Sequence, residues 1–249
     1  MISLNVLAIA ASLLGCQQND TIPAGATAIL KSYPDFCVEY KDNKIIFKDG
    51  TSMVYDDNRA KSFDEKLDDS DIEDMFSIPY DMDGNPEYLA DAGRSRCEAL
   101  FKKMYGSSQA EAQRKLGKVN WFGQSLLFTT VNGADKQLKK VADELAKHPE
   151  YSKYMKSAGT FNWRPVRGAK RLSAHSYGIA IDIAVQLSDY WLWEFKGKKE
   201  TDKIGYKNRI PMGIVEIFEK YGFVWGGRWY HFDTMHFEYR PEIINYFKK

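Results

Sequence analysis

The pattern of apolar and polar residues along the chain predicts both helices and strands. In residues 135–146 and 211–221, apolar side chains recur every three or four positions, as expected of helices with one buried face. Gly222 directly follows the second segment, and glycine commonly ends a helix. Two shorter helices are predicted at residues 96–104 and 108–116.

In residues 179–185 the apolar side chains alternate instead, which predicts a strand with an isoleucine-lined face toward the core. The opposite face carries Asp182 between two alanines, which leaves space above the carboxylate. A strand is also predicted at 236–239, and a hairpin at 45–55 around an Asp-Gly turn. These elements predict an α+β fold, in which helices pack on one side of a small antiparallel sheet.

The composition is that of an ordinary globular protein, but the charge is unevenly distributed. The 249 residues are 44% hydrophobic and 28% charged, with a formal net charge of +1. Residues 56–98 carry 14 acidic and 5 basic side chains, whereas residues 99–249 carry 26 basic and 15 acidic ones. The basic part of the chain would attract an anionic substrate.

Residues 1–16 are predicted to be an export signal. Leu4 to Leu14 forms an apolar run with the length of a signal-peptide core, too short to span a bilayer comfortably. The run ends in Leu-Leu-Gly-Cys, which resembles the lipobox of bacterial lipoproteins, so that Cys16 would carry the lipid. An ordinary secretory signal is the alternative, because no Lys or Arg precedes the run. Both interpretations predict an exported protein of the periplasm or cell envelope, and the first adds a lipid anchor in a membrane.

Export would permit disulfide bonds. Without Cys16 the chain contains one pair of cysteines, Cys37 and Cys97. The even number predicts a disulfide between the N-terminal region and the following helix. Two buried free thiols are the alternative.

Two short motifs contain two of the four histidines of the chain, each together with carboxylates. The first motif contains His175 and Asp182, and the second contains Asp233 and His236. The members of each pair meet only if the backbone turns between them, as Gly178 permits in the first motif. Two imidazole nitrogens and one carboxylate oxygen, with water in the fourth position, form the open zinc site of hydrolytic enzymes. A second carboxylate could then be the general base.

A hydrolytic site also needs a cation that stabilises an oxyanion, and Arg164, eleven residues before His175, is the candidate. Other interpretations remain open for several of these residues. Asp233 could cap a turn, and Arg164 could be a surface residue. His231 fits no ligand spacing and is expected near the site or at the surface, whereas His148 precedes a proline and is expected at a helix end.

The two motifs strongly resemble the zinc D-alanyl-D-alanine carboxypeptidase family over roughly residues 120–240. The family includes the VanY-type and VanX-type enzymes and the L-alanyl-D-glutamate endopeptidases of phage lysins. The resemblance rests on a pattern of spaced residues: Ser173-x-His175-x-x-Gly178-x-Ala180-x-Asp182 followed by Asp233-x-x-His236.

The resemblance implies a role for each matching position. It implies three ligands for Zn²⁺: His175, Asp182 and His236. It further implies that Asp233 is the catalytic base, that Arg164 contacts the substrate carbonyl, and that Ser173 binds the substrate. The small sheet of the predicted fold would then carry the zinc site.

Position 233 also bears on the reaction. Asp233 stands where the VanY-type and VanX-type branch has Glu, and Asp-x-x-His-Phe-Glu looks more like the endopeptidase branch. The predicted function is therefore hydrolysis of peptidoglycan stem peptides by an endopeptidase that uses a metal-activated water. A D-alanyl-D-alanine carboxypeptidase is one alternative. A non-catalytic cell-wall-binding module is another, although such a module needs no base at position 233.

The chain is predicted to divide into four parts. Residues 1–16 are the signal, and residues 17–30, rich in small and polar side chains, are a flexible tether. Residues 31–119 lie outside the resemblance and are expected to form an N-terminal subdomain over the cleft. Residues 120–249 are expected to form the zinc peptidase domain. The protein is predicted to be a monomer that binds peptidoglycan peptides and no nucleic acid.

Overall fold

Antiparallel sheets form the framework of the protein in the computed structural model, which describes residues 21–248. The strands are β1 (Cys37–Lys41), β2 (Lys44–Phe47), β3 (Ser52–Val54), β4 (Leu116–Trp121), β5 (Gln124–Thr129), β6 (Ser157–Gly159), β7 (Ala180–Ile183), β8 (Phe223–Trp225) and β9 (His236–Tyr239). Their order is β1–β2–β3 in one sheet, β4–β5 in a hairpin, and β6–β7–β9–β8 in the largest sheet. The largest sheet therefore contains the strands of both motifs.

Helices pack against strands of all three sheets. They are α1 (Ala24–Ser32), α2 (Phe63–Asp68), α3 (Glu98–Tyr105), α4 (Gln109–Arg114), α5 (Ala134–Leu145), α6 (Trp191–Glu194), α7 (Met212–Lys220) and α8 (Pro241–Phe247). The combination of helices with small antiparallel sheets confirms the predicted α+β class. Between residues 21 and 248, no helix combines the length and the apolar content that crossing a bilayer would require.

The helices and strands that the clearest periodic patterns predicted are present in the structure, but some of their ends differ from the prediction. The helix predicted at 135–146 is α5, the helix predicted at 211–221 is α7, and β9 covers the predicted residues. Strand β7 is shorter than predicted, because Ala184 has a φ of +52°. This left-handed conformation ends the extended backbone, and a turn of 3₁₀ helix follows.

The prediction of a flexible tether is wrong for residues 24–30, which lie in α1. Ala26 and Ile29 are fully buried, and α1 packs against α8. Small residues serve close packing here rather than flexibility: a Cβ added to Gly25 would lie 2.4 Å from the Tyr55 hydroxyl. The lipobox with Cys16 lies outside the described residues.

The proposed division at residues 119 and 120 falls inside strand β4. One apolar core contains fully buried residues from both sides of this boundary, including Phe101 and Phe237. The described residues before and after the boundary therefore share one packed interior. This arrangement allows the N-terminal region to contribute side chains directly to the site described below.

Cys37 and Cys97 are buried free thiols, so the predicted disulfide is wrong and the alternative is the one found. Cys37 lies opposite Phe47 in the first sheet, whereas the Cys97 sulfur lies 3.9 Å from the sulfur of Met53. The two thiols are thus directed to different neighbours within the core. Burial raises the pKa of Cys37 to about 12 and that of Cys97 to about 11, which keeps both thiols protonated and unreactive.

Candidate metal centre

His175, Asp182 and His236 converge on one point in the structure. The Nε2 atom of His175 lies 3.2 Å from Oδ1 of Asp182, and the Nδ1 atom of His236 lies 3.0 Å from the same oxygen. Each residue offers one ligand atom, and these three atoms lie within 4.8 Å of one another. The cluster therefore has the size expected of side chains that share one metal ion.

Local backbone structure explains this convergence. Asp182 of β7 and His236 of β9 are directly opposite each other in the antiparallel ladder, so their side chains project from the same face. His175 lies in a 3₁₀ turn before β7, which ends at Gly178 with a φ of +66°. A Cβ at Gly178 would lie 2.5 Å from the side chain of Leu116. Glycine suits this turn, because it adopts the positive φ without strain and leaves the Leu116 side chain in place.

The outer hydrogen bonds of the two imidazoles determine which nitrogen faces the cluster. Nδ1 of His175 lies 2.8 Å from the carbonyl oxygen of Thr160, and Nε2 of His236 lies 3.1 Å from a carboxylate oxygen of Glu238. Both partners can only accept, so each of these nitrogens donates its hydrogen. In the neutral rings, the other nitrogen of each histidine then presents a lone pair toward Asp182.

The electrostatics of the cluster favour a positive charge at its centre. Burial alone would raise the pKa of Asp182, but the two histidines, His175 foremost, hold it well below the usual range. Burial alone would lower the pKa of His236, but hydrogen bonds to Asp182 and Glu238 raise it to about 10. A site that holds a proton this tightly between two carboxylates also attracts a metal cation.

The donor set fits zinc. Two imidazole nitrogens and one carboxylate oxygen match the protein ligands of open, hydrolytic zinc sites, which keep a further position for water. Each histidine also has the outer hydrogen bond that commonly orients a zinc-binding imidazole. With both imidazoles neutral, the three ligand atoms are all acceptors, and zinc is a cation that this set of ligands suits.

Asp233 lines the same cavity as the cluster. Its Oδ1 atom is buried and has no hydrogen-bond partner among residues 21–248. Burial raises the pKa of Asp233 to about 7, an effect that the nearby His236 opposes and Asp182 reinforces. A buried carboxylate oxygen without a partner is costly and rare in folded proteins. Asp233 thus places, in the cavity that contains the cluster, a buried carboxylate oxygen that has no partner among the described residues.

Arg164 and Ser173 also line this cavity, but the hydrogen bonds of their side chains involve backbone groups rather than the three ligand atoms. The Arg164 side chain is exposed, and its contact of 3.4 Å is with the carbonyl of the adjacent Pro165. Ser173 is buried, and its hydroxyl accepts from the backbone N–H of His175 at 3.4 Å. The structure thus gives Ser173 a role in forming the turn, and its predicted contact with substrate stays a prediction.

The cavity has a volume of about 510 Å³ and is lined by cationic and aromatic side chains. The arginines that line it are Arg94, Arg96, Arg164, Arg167 and Arg171. The larger aromatic residues that line it are Tyr190, Trp191, Trp193 and Trp229. Arg94 and Arg96 precede residue 120, so the N-terminal region forms part of the wall.

His231 is buried beside the cluster and takes part in a separate network. Its Nδ1 lies 2.5 Å from a carboxylate oxygen of Asp91, and its ring packs on Trp191 with the centroids 4.6 Å apart. Arg94 donates to Asp91 and to both carboxylate oxygens of Glu200. Asp91, Glu200 and His231 also lie close enough together to hold a metal ion, but the Arg94 guanidinium already pairs with both of these carboxylates. His231 thus lies near the three-residue cluster without belonging to it.

Sequence reasoning did not single out Glu238, although it contacts a predicted ligand. Glu238 is fully buried on β9, where His236 and Arg96 approach one of its oxygens and Arg240 the other. Burial alone would raise the pKa of Glu238, but these cations, Arg96 foremost, lower it to about 2. The available signal was the alternation of ionisable residues at positions 236, 238 and 240, on and directly after the strand predicted at 236–239.

Comparison with known proteins agrees with the motifs. Residues 167–239 match the sequence model of the family described as D-alanyl-D-alanine carboxypeptidase. The peptidoglycan L-alanyl-D-glutamate endopeptidase CwlK of Bacillus subtilis (strain 168) is 38% identical over 73 residues. That match covers 28% of this chain and 40% of the length of CwlK. No solved structure gives a significant match.

The matched segment contains the three clustered residues together with Asp233, whereas Arg164 lies just before it. The segment that matches the family model thus includes residues that line the centre of the cavity. The resemblance stated from the two motifs is thereby confirmed, and residues 167–239 relate this chain to the D-alanyl-D-alanine carboxypeptidase family, with CwlK among its relatives.

Proposed function

We propose that the protein is a zinc-dependent peptidase that hydrolyses the stem peptides of peptidoglycan, acting as an endopeptidase. One observation carries the proposal: two imidazole nitrogens and a carboxylate oxygen converge within 4.8 Å, in a cavity that also holds the unpartnered carboxylate of Asp233. This combination suits metal-assisted hydrolysis, which needs both an open metal site and a base.

His175, Asp182 and His236 would hold the zinc ion through the three atoms that face one another. When bound, zinc supplies Lewis acidity, which makes water more acidic and polarises a carbonyl oxygen. The protein contributes the rigidity of the site. Asp182 and His236 lie on paired strands, and His175 is held by its own turn and by the carbonyl of Thr160.

Asp233 would be the general base. Its carboxylate is buried beside the cluster, and a pKa of about 7 lets it take up and release a proton near neutral pH. It would accept a proton from the attacking water and donate it to the leaving amine. The free Oδ1 atom leaves that oxygen available for this exchange.

The cavity also suits an anionic peptide. The Arg164 and Arg167 side chains are exposed and have no carboxylate partner in the described part of the chain, unlike Arg94 and Arg171. Stem peptides of peptidoglycan carry several carboxylates, which unpaired arginines can bind. Aromatic side chains that also line the cavity, such as the half-exposed Trp193, can cover the apolar parts of the peptide.

Arg164 is proposed to stabilise the oxyanion that forms on the carbonyl under attack. Arg164→Ala is expected to lower kcat by about 10²–10³-fold, because a group aimed at developing charge acts mainly in the transition state. Arg167→Ala removes an equal charge from the same cavity and should raise KM while leaving kcat nearly unchanged. Steady-state kinetics on a purified muropeptide measures both constants. An unchanged kcat in Arg164→Ala would show that Arg164 does not stabilise the oxyanion and is only a surface residue.

Two peptidase activities fit the site. The name of CwlK and the Asp at position 233 favour cleavage between L-alanine and D-glutamate, whereas the description of the matched family favours removal of a terminal D-alanine. Digestion of defined muropeptides, followed by mass spectrometry of the products, distinguishes them. Cleavage after L-alanine supports the endopeptidase, and loss of one alanine supports the carboxypeptidase. No cleavage by the zinc-loaded protein would favour a cell-wall-binding module.

The proposed substrate lies outside the cytoplasm, which agrees with the export signal predicted at residues 1–16. We propose that Cys16 is lipidated and that the anchor holds the protein, as a monomer, at a membrane of the cell envelope. Cells fed a labelled fatty acid should incorporate the label into the wild-type protein but not into Cys16→Ser. Labelling of neither protein would support an ordinary secretory signal instead, and equal labelling of both would show that Cys16 does not carry the lipid.

A further inference from the structure

A row of buried ionisable side chains leads away from the metal cluster. Residues 236, 238, 240 and 242 are His, Glu, Arg and Glu, and the last three are fully buried. In β9 the alternation places His236 and Glu238 on the same side of the strand. The row therefore begins at a proposed zinc ligand and ends inside α8.

The members of this row are joined by direct contacts. Nε2 of His236 lies 3.1 Å from one oxygen of Glu238, and Nη1 of Arg240 lies 2.9 Å from the other. Arg240 also donates through Nε to Glu242, which accepts from the hydroxyl of Tyr33 as well. Each carboxylate thus contacts a donor at both of its oxygens, and Tyr33, directly after α1, donates to the last member of the row.

A second arginine reaches Glu238 from the N-terminal region. Nη1 of Arg96 lies 3.5 Å from the oxygen that His236 contacts, and Nη2 donates to the carbonyl of Leu172 at 3.1 Å. The carbonyl oxygen of Gly93 accepts from both Arg96 and Arg240, at 3.3 and 2.7 Å. Glu238 is consequently held between two guanidinium groups that share one backbone anchor.

This arrangement restricts His236 in a specific way. A carboxylate that accepts at Nε2 keeps the hydrogen on that atom, so the lone pair of the neutral ring lies on Nδ1. The same contact restrains rotation of the ring, which keeps Nδ1 directed toward Asp182. Without Glu238 the ring could rotate or take the other tautomer, and either change would remove a ligand atom from the cluster.

We infer that Glu238, held between Arg96 and Arg240, is a positioning residue that fixes His236 for metal binding. Through Arg96, residues outside the segment related to the carboxypeptidase family contribute to the affinity for the metal. The inference rests on the zinc site of the proposed function and adds a second layer of residues around it.

The test is the zinc affinity of full-length variants, measured by competition with a chromophoric chelator. Glu238→Ala should weaken zinc binding by about 10–100-fold, the usual effect of removing an outer-shell partner. Glu238→Gln keeps an acceptor of the same size and should lie between Glu238→Ala and the wild type. Arg96→Met should also weaken binding, because Glu238 then loses one of its two restraints.

A matched control separates positioning from general destabilisation. Glu219 is likewise a buried carboxylate, paired with Arg228 and with the hydroxyl of Tyr80, but it does not contact the cluster. Glu219→Gln should lower thermal stability and leave zinc affinity unchanged. The visible spectrum of the cobalt-substituted protein gives a second readout. It should change in the Glu238 variants, where His236 is less well oriented, and not in Glu219→Gln.

Glu238→Ala leaves two buried arginines less well paired, so it is the variant with the greatest risk of misfolding. If it fails to fold, Glu238→Gln and Arg96→Met still decide the question. Wild-type zinc affinity and an unchanged cobalt spectrum in both would overturn the inference while leaving the zinc site intact. A wild-type protein that binds no zinc would refute the proposed metal site itself, and the inference with it.

Discussion

Asp233→Asn is expected to lower the rate of peptide hydrolysis by about 10²–10⁴-fold, the usual contribution of a positioned general base. Asparagine has nearly the same shape as aspartate but cannot accept the proton of the attacking water. Because Asp233 is not among the three clustered ligand atoms, the variant should still bind one zinc per chain. Single-turnover hydrolysis of a muropeptide, together with zinc analysis of the same sample, measures both properties.

The stability of this variant distinguishes a base from a turn cap. Burial raises the pKa of Asp233 in the folded protein to about 7, so ionisation of this group above its unfolded pKa of about 3.9 opposes folding. At pH 8 the wild type bears this penalty in full, and Asp233→Asn should be at least as stable. A structural cap would behave in the opposite way, because its removal costs about 1 kcal/mol. Reduced stability with unchanged turnover would contradict the role as base.

The pH profile of the wild type gives an independent test of the same group. Only the deprotonated carboxylate can accept a proton, so the rate should fall as the pH decreases through the pKa of Asp233. A divalent cation nearby favours the ionised form, which places the midpoint at or below pH about 7. The residual activity of Asp233→Asn should not show this decrease at low pH. If both proteins lose activity at the same pH, another group causes the decrease.

His175→Ala is expected to abolish measurable hydrolysis and to weaken zinc binding by more than about 100-fold. The change removes one of three ligands, which should cost more than the loss of an outer-shell partner. His148→Ala is the matched control, since His148 is half exposed, stacks on Tyr151, contacts Glu150 and is not among the residues that line the cavity. It should retain full affinity and activity. Equilibrium dialysis with metal analysis compares the two variants.

Unchanged zinc stoichiometry and turnover in His175→Ala would show that the cluster is not the metal site. Loss of activity with retained zinc would instead indicate that His175 acts on the substrate. The folding of both variants should be compared without added zinc, because a metal that binds only the folded state stabilises it and would confound the comparison.

The centre of the site was accessible from the sequence because its signals are local. Alternation along residues 179–185 left an uncrowded face at Asp182, and Gly178 allowed the turn that brings His175 back toward it. The structure adds the strand register, which places Asp182 directly opposite His236. A single sequence does not specify the pairing of two strands this far apart, since it depends on the packing of the whole sheet.

The surroundings of the site were not accessible because they depend on long-range contacts. Arg96 and Glu238 are 142 positions apart, and Tyr33 reaches Glu242 across 209 positions. Composition also misled the prediction in two places. The small residues of α1 pack closely against α8 instead of forming a tether. The even number of cysteines suggested a disulfide, but Cys37 and Cys97 are free thiols in the structure.

The central claim is that a zinc ion held by His175, Asp182 and His236 enables this protein to cleave peptidoglycan peptides. It is tested most directly by titrating zinc into the metal-free protein while following cleavage of a defined muropeptide by mass spectrometry. The account predicts no cleavage before zinc is added, and full activity at one equivalent per chain. The products should together weigh the substrate plus one water. Cleavage that is independent of zinc, or zinc binding without cleavage of any murein peptide, would contradict the account.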